Sequence, residues 1–220
     1  MLPVVSSETS LLWRTTWRTT LSDPIRFYFD FSSPYGYLAA QRIDGLAARH
    51  GRSVDWHPIL LGAIFGITGQ TPLIDQPLRG DYFRTDMMRL AREWEVPFVF
   101  PENFPFHSIA ASRAFYWLKD RSSEEAVAFA RAIYQAYWGQ GRDVARPEQV
   151  AQVAAGMGIA PDALKAALAE PAIKARLKNE VDAAVAAGVF GSPTVVVDGE
   201  PFFGCDKFEQ IERWLERGGW

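Results

Sequence analysis

The cysteine and histidine residues of this chain limit which chemistry it can perform. Cys205 is the single cysteine among 220 residues, so an intrachain disulfide, a dithiol redox couple and a cysteine-based zinc site are all excluded. The three histidines, His50, His57 and His107, are too widely separated to form an obvious metal-binding motif. No metal site is therefore expected.

Two serine–proline pairs mark the starts of predicted elements, at Ser33-Pro34 and at Ser192-Pro193. The first follows an aromatic, β-branched run and precedes residues 35–50, which have helical periodicity. Serine at the N-cap with proline at the first helical position is a strong signal for the start of a helix. The second pair directly precedes an apolar run typical of a strand.

The elements that would position these pairs alternate between strand and helix at both ends of the chain. Strands are predicted at 25–31, 54–60, 194–197 and 201–203, and Asp198-Gly199 between the last two is a strong hairpin signal. Helices are predicted at 35–50, 80–95, 108–119, 123–139, 147–157, 161–169, 172–187 and 206–217. The β-α-β opening and the β-β-α ending predict an α/β domain that is interrupted by a helical insertion.

Domain boundaries follow from that order. We expect residues 25–62 and 188–220 to form one discontinuous domain and residues 63–187 to form the insertion. Residues 1–24 are rich in serine and threonine, lack the apolar stretch of a secretory signal, and are predicted to form an N-terminal arm.

Composition limits the expected cellular location of the protein and the classes of molecule that it could bind. The formal net charge is −3 and the sequence pI is about 5.7, whereas a nucleic-acid-binding protein usually carries a basic patch, so no nucleic-acid partner is expected. No apolar run approaches the roughly 18 to 20 residues that a membrane-spanning helix needs. The predicted location is the cytoplasm, with no membrane partner.

The predicted element order resembles the thioredoxin fold, and the helical insertion makes it similar to the DsbA-like subtype. In that subtype a Cys-x-x-Cys motif begins the first helix, whereas this chain has Ser33-Pro34-Tyr35-Gly36 there. Four segments in order resemble the family of 2-hydroxychromene-2-carboxylate isomerases and kappa-class glutathione transferases. They are residues 29–39 (FDFSSPYGYLA), 61–72 (LGAIFGITGQTP), 188–194 (GVFGSPT) and 203–208 (FGCDKF).

The resemblance implies a glutathione site with Ser33 as its catalytic residue. The Ser33 hydroxyl would donate a hydrogen bond to the sulfur of bound glutathione, where the positive end of a helix favours thiolate over thiol. The alternative is that Ser33 serves only as the N-cap. The residues implied in cofactor binding are Ser33, Ser192, Pro193, Phe203, Gly204, Cys205 and Asp206.

Individual roles at that site also follow from the resemblance. Pro193 would be a cis-proline, rather than an ordinary trans-proline at the start of a strand. The free backbone N–H and C=O of Ser192 would then pair with the extended glutathione backbone like an added strand. Asp206 would take the ammonium group of the γ-glutamyl end, or would serve only as a charge at a helix start. Cys205 is either a small buried hydrophobe or a thiol able to form a mixed disulfide.

Substrate-binding roles are implied for Gln70, Arg79 and His107. Gln70 stands where the family usually has asparagine, and Arg79 could pair with a carboxylate, although it could equally be a solvated surface charge. His107 lies in an aromatic-rich loop that could form a wall of a substrate pocket, or it could simply bond a loop carbonyl.

The resemblance implies an isomerase that uses glutathione to interconvert 2-hydroxychromene-2-carboxylate and trans-o-hydroxybenzylidenepyruvate in aromatic catabolism. Its partner would be a small aromatic acid, and a homodimer is expected. One alternative is a kappa-like transferase or peroxidase, which would consume glutathione. Another is a non-catalytic thioredoxin-like module that binds peptides along the strand edge at Pro193 and has no affinity for glutathione.

Overall fold

A computed structural model describes residues 23–220 of the protein. The predicted N-terminal arm, residues 1–24, lies outside the described residues except for Asp23 and Pro24.

The centre of the fold is a four-stranded mixed sheet in the order β2-β1-β3-β4. Its strands are β1 (Ile25–Phe29), β2 (Val54–Pro58), β3 (Thr194–Val197) and β4 (Glu200–Phe203). β1 and β2 are parallel, and β3 is antiparallel to both β1 and β4, with Tyr28 opposite Thr194. The end of β1 therefore lies beside the start of β3, and both serine–proline pairs lie at one end of the sheet, next to its two central strands.

Ten α-helices surround this sheet within the described part of the chain. They are α1 (Pro34–Ala40), α2 (Ile43–Arg49), α3 (Leu61–Thr68), α4 (Arg79–Glu93), α5 (Ile109–Lys119), α6 (Ser123–Tyr134), α7 (Pro147–Ala155), α8 (Pro161–Ala169), α9 (Pro171–Ala186) and α10 (Phe208–Arg217). A π-helical turn, Gln135–Gly139, continues α6, and a 3-10 turn, Cys205–Lys207, precedes α10. The predicted order, a β-α-β start, a block of helices after β2 and a β-β-α end, is present.

Two helix predictions were wrong in detail. The single helix expected over 35–50 is divided into α1 and α2, because the amide groups of Gln41 and Arg42 bond carbonyls three residues back rather than four. The predicted strand 54–60 ends at Pro58, and α3 follows at Leu61, where no helix was predicted. The N–H of Leu61 donates to the Asp30 carboxylate at 2.6 Å, so a residue distant in sequence stabilises the start of α3.

Aromatic side chains fill the core on one side of the sheet. Phe27 and Phe29 of β1 pack edge-on against Trp56 of β2, with ring centroids 4.9 and 5.3 Å from the Trp56 ring. Phe29 also contacts Tyr134 at the end of α6. Edge-to-face contacts of this kind stabilise beyond the burial of area alone. They hold the end of β1, and hence the turn that follows it, rigidly against the inserted helices.

A network of charges joins the edge strand β2 to α5 and α9. The two ring nitrogens of His57 face the carboxylates of Asp55 at 2.8 Å and Glu180 at 3.4 Å. Lys119 also pairs with Asp55 at 2.6 Å, and Arg176 pairs with Glu180. Burial alone would lower the pKa of His57, but the hydrogen bonds to the two carboxylates outweigh it and raise that pKa. The hydrogen bond from His57 lowers the pKa of Glu180 to about 2.

We expect this network to give the protein a maximum of stability between about pH 4.5 and 6.5. The stabilisation from protonated His57 is fully present below its ordinary pKa of 6.5 and is lost as pH rises through its raised folded-state value. The stabilisation from ionised Glu180 is present above its ordinary pKa of 4.5 and is lost as pH falls toward about 2. Urea unfolding between pH 5 and 9 should show the alkaline decline, and His57→Gln should flatten it. An unchanged decline in that variant would show that other groups cause it.

Candidate active site

The turn between β1 and α1 holds Ser33 in a defined hydrogen-bonding position. Ser33 is the N-cap of α1, Pro34 occupies the first helical turn, and the Ser33 Oγ accepts a hydrogen bond from the N–H of Gly36 at 3.0 Å. The same hydroxyl donates to the backbone carbonyl of Ser192 at 3.1 Å. The predicted N-cap contact is confirmed, and the side chain that carries it is only 4% exposed.

Two expectations about this turn need correction. The Ser192 carbonyl was predicted to be free, but it already accepts the Ser33 hydroxyl. In addition, α1 has only seven residues rather than the sixteen of the predicted helix. Its capacity to attract an anion therefore depends on the N–H groups of its first turn more than on a long helix dipole.

The second serine–proline pair faces this turn. The Ser192–Pro193 peptide bond is cis, as expected, and the Ser192 Oγ accepts a hydrogen bond from the backbone N–H of Asp30 at 2.9 Å. The Pro193 carbonyl accepts from the N–H of Gly204 at 3.0 Å. The structure thus brings Ser33, Ser192, Pro193 and Gly204 together at one end of the sheet.

Asp30, which sequence reasoning did not select, connects the turn before α1 with Tyr134 and with the start of α3. Its backbone carbonyl accepts from the N–H of Ser33 at 2.9 Å and from the hydroxyl of Tyr134 at 3.0 Å. Its carboxylate accepts from the N–H and the hydroxyl of Ser32 and from the N–H of Leu61. Burial raises the pKa of Asp30, and these hydrogen bonds only partly offset that effect. Asp30 is buried, with 2% of its surface exposed, so it stabilises the turn from the protein interior rather than contacting solvent.

Gly36 allows this arrangement because it has no side chain. A Cβ at position 36 would lie 2.8 Å from the hydroxyl oxygen of Tyr134 and 2.9 Å from the Oγ of Ser192. Both of these atoms are hydrogen-bonded to the backbone of Asp30, so neither can move without losing that bond. The sequence segment FDFSSPYGYLA therefore carries a packing requirement as well as a candidate catalytic serine.

We expect Gly36→Ala to destabilise the protein by about 1–3 kcal/mol through this overlap. The matched control is Gly45→Ala in α2, where the nearest atom to the added Cβ, Arg49 Nη1, is 4.0 Å away. That change should stabilise the protein by about 0.5–1 kcal/mol, because alanine is the better helix former. Chemical denaturation of both variants measures the difference. Equal shifts in the two variants would show that the space around Gly36 is not limiting.

The residues implied in holding the γ-glutamyl end lie just after β4. Cys205 is buried, and burial, followed by the nearby charges of Asp206 and Asp86, raises the pKa of its thiol to about 12. The thiol is therefore protonated at neutral pH, which favours the interpretation of Cys205 as a small buried hydrophobe. Asp206 is exposed, and its carboxylate pairs with Lys207 at 2.5 Å. An incoming ammonium group would compete with Lys207 for it.

Phe203 and Phe190 form an exposed aromatic pair beside the cis-proline turn. Their ring centroids are 4.7 Å apart, and the residues are 45% and 44% exposed. The Phe203 ring lies so close to Gly191 that any Cβ there would overlap it. This pair is the exposed apolar surface nearest in sequence to Ser192.

The three residues implied in substrate binding are all exposed, and within residues 23–220 no hydrogen bond or ion pair joins them to Ser33. Gln70 follows the end of α3, Arg79 donates to Gln76 at 2.8 Å on the surface, and His107 lies in the loop before α5. Their substrate roles stay predictions. Trp138 is fully buried, and its indole N–H donates to the carbonyl of Phe31 at 2.9 Å, so it belongs to the core.

Comparison with known proteins decides the family. The family model of the DSBA-like thioredoxin domain matches residues 24–216. The chain belongs to the DSBA-like thioredoxin family. This DSBA-like protein is 29% identical to a 2-hydroxychromene-2-carboxylate isomerase of Pseudomonas putida, over 88% of this chain and 94% of that one. It is 26% identical to glutathione S-transferase kappa 1 of Caenorhabditis elegans, over 88% and 91% of the two chains.

A solved structure of a 2-hydroxychromene-2-carboxylate isomerase superposes on this DSBA-like protein with a TM-score of 0.81 and 29% identity. The match covers 89% of this chain and 95% of that one. The predicted resemblance to the isomerases and kappa-class transferases is therefore confirmed. Between Asp23 and Trp220, no helix is long and apolar enough to cross a membrane, and no group of three or more His, Cys, Asp or Glu side chains could hold a metal ion.

Proposed function

We propose that this DSBA-like protein is a glutathione-dependent isomerase that interconverts 2-hydroxychromene-2-carboxylate and trans-o-hydroxybenzylidenepyruvate. The observation that carries the proposal is the placement of Ser33, which faces the cis Ser192–Pro193 bond where disulfide oxidoreductases of this fold have a reactive cysteine. The isomerases of this family match nearly the full chain. The serine at this position and the buried Cys205, whose thiol pKa is raised by burial, support a bound thiol as the source of a reactive sulfur.

The polar groups around Ser33 and Ser192 fit a tripeptide that carries a thiol. The Ser33 hydroxyl is a hydrogen-bond donor at the start of α1. The Ser192 carbonyl can accept a hydrogen bond from a backbone N–H of the ligand, and the exposed Asp206 carboxylate can accept one from an ammonium group. Glutathione has a thiol, two peptide N–H groups and an α-ammonium group. When bound, it would supply a thiolate that adds reversibly to a conjugated double bond, so that this bond can rotate before the sulfur leaves.

The residues of the protein then have distinct tasks. The Ser33 hydroxyl would donate a hydrogen bond to the thiolate. This bond stabilises the charged form, so that the sulfur is a nucleophile at neutral pH. Asp30 and Tyr134 would hold the turn that carries Ser33. Arg79 would pair with the carboxylate of the aromatic acid, and Gln70 and His107 would also contact this substrate. Phe203 and Phe190 would offer an apolar surface near the sulfur. We also propose that the protein acts as a cytoplasmic homodimer.

Product analysis tests this proposal and separates it from the transferase. Purified protein is incubated with 2-hydroxychromene-2-carboxylate and a substoichiometric amount of reduced glutathione. An isomerase forms the benzylidenepyruvate over many turnovers and returns all of the free thiol. A kappa-like transferase stops after one equivalent and leaves a glutathione conjugate. Absence of any reaction, together with absence of glutathione binding, would favour the non-catalytic peptide-binding module.

A further inference from the structure

Tyr35 joins α1 to α4, the first long helix of the insertion. Its hydroxyl donates to the Asp86 carboxylate at 2.9 Å, and its ring packs edge-on against the ring of Phe83, with 5.7 Å between the centroids. Phe83 and Asp86 are three positions apart in α4, so they are neighbours on one face of this helix. Two contacts on one face hold α4 at a fixed distance from α1 and at a fixed rotation about its own axis.

The hydrogen bond between Tyr35 and Asp86 has a permanent donor and an oriented acceptor. Burial, followed by the hydrogen bond to Asp86, raises the pKa of Tyr35, so the hydroxyl keeps its hydrogen at neutral pH. The other carboxylate oxygen of Asp86 accepts from Arg89 at 2.5 Å, about one turn further along α4. The Asp86 side chain is only 19% exposed, so water competes little for its oxygens. The contact between α1 and α4 is therefore persistent.

Arg79 lies on the same face of α4 as these two contacts. It precedes Phe83 by four positions and Asp86 by seven, and both spacings return to one side of an α-helix. At a rise of 1.5 Å per residue, Arg79 is about 10 Å from Asp86 along the helix axis. The start of α4 is also fixed, because a Cβ at Gly80 would lie 2.6 Å from the carbonyl oxygen of Ile74. The contacts with α1 therefore determine the direction in which Arg79 leaves the helix.

We propose that Tyr35 is a positioning residue for Arg79. By holding α4, it sets the distance between the turn at Ser33 and the guanidinium that binds the carboxylate of the substrate. The inference rests on the proposed function and adds to it a residue that acts through another. The Arg79 guanidinium donates to the neutral amide oxygen of Gln76 at 2.8 Å. A carboxylate is the stronger acceptor, so a substrate can take Arg79 from Gln76 while α4 stays in place.

Tyr35→Phe tests this role, because it removes the donor to Asp86 and keeps the ring that packs on Phe83. The matched control is Tyr82→Phe on α4, where the residue is 62% exposed and its hydroxyl accepts from Arg89 at 3.5 Å. Isomerisation of 2-hydroxychromene-2-carboxylate is measured at saturating glutathione. We expect Tyr35→Phe to raise KM for the aromatic acid by about 5- to 10-fold, with kcat and glutathione affinity within about twofold of wild type. The control should leave all three unchanged.

A double-mutant cycle with Arg79→Gln separates positioning from a general loss of structure. Arg79→Gln alone should raise KM by about 10- to 100-fold, since it removes a charged donor. In that background, Tyr35→Phe should change KM by less than about twofold, because no guanidinium is left to position. An unchanged KM in Tyr35→Phe alone, or an equal rise in both backgrounds, would overturn the positioning role and leave the isomerase intact. An unchanged KM in Arg79→Gln, or no isomerisation by the wild-type protein, would instead overturn the proposed function, and the inference with it.

Discussion

Ser33→Ala is expected to lower kcat/KM for isomerisation by about 10- to 100-fold, since a hydrogen bond to a charged group contributes about 1.5–3 kcal/mol. The variant removes the only side-chain hydrogen that the described structure places at the start of α1 beside the Ser192 carbonyl. Binding of glutathione should be weakened less than turnover, because the Ser192 backbone and Asp206 remain. Steady-state kinetics at saturating glutathione measure the effect.

The control for this prediction is Ser122→Ala. Ser122 is the N-cap of α6 and accepts the N–H of Glu125 at 3.1 Å, so this variant loses the same kind of cap as Ser33→Ala. Ser122→Ala should cost about 1 kcal/mol of stability. Ser33→Ala should cost more, because it also removes the donor to the buried Ser192 carbonyl, but only Ser33→Ala should reduce turnover by more than its loss of stability explains. If both variants lost activity equally, the effect of Ser33→Ala would be one of stability, and the catalytic role of Ser33 would be wrong.

Asp30→Ala is expected to be the more damaging change to the fold, with a loss of about 2–4 kcal/mol. The N–H groups of Ser32 and Leu61 would each lose their acceptor, and the start of α3 would lose its attachment to the turn before α1. Asp30→Asn should restore only part of this, because its amide nitrogen cannot accept from the N–H of Leu61 while its oxygen bonds Ser32.

Thermal unfolding measures this difference, with Asp182→Ala as the control. Asp182 lies on α9, pairs with Lys178 and has a side chain that is 59% exposed. We expect Asp30→Ala to lower Tm by about 5–10 °C and the control to change it by less than about 2 °C. A small effect of Asp30→Ala would show that the turn is held mainly by its backbone contacts with Tyr134 and Ser192.

Local signals in the sequence were sufficient to predict most of the fold. The N-cap serine and proline at 33–34, the Asp198-Gly199 hairpin and the periodicity of the later helices all depend on neighbours in the chain, and these elements are present. The start of α3 depends instead on the Asp30 carboxylate, 31 positions away, so its sequence showed only an apolar run containing glycine. The interruption between α1 and α2 likewise has no local signal as clear as proline or glycine.

The residues of the candidate site likewise fall into those that local sequence signals reveal and those that depend on distant contacts. Ser33 and Pro193 could be selected because the residue type and the adjacent proline are informative by themselves. Asp30 and Tyr134 could not, since an aspartate after a strand and a tyrosine in an amphipathic helix are each unremarkable locally. Their roles arise from contacts across 104 positions, where the hydroxyl of Tyr134 meets the carbonyl of Asp30. The hydrogen bond between Ser33 and Ser192, 159 positions apart, was missed for the same reason.

The central claim is that Ser33 stabilises the thiolate of a bound glutathione, and calorimetric titration with a parallel measurement of thiolate absorbance tests it most directly. Reduced glutathione is added to the wild-type protein, to Ser33→Ala and to Ser122→Ala. We predict saturable 1:1 binding in all three, and a thiolate signal near neutral pH in the wild-type protein and Ser122→Ala that Ser33→Ala loses. Absence of saturable heat with millimolar glutathione, or a thiolate signal unchanged in Ser33→Ala, would contradict the claim.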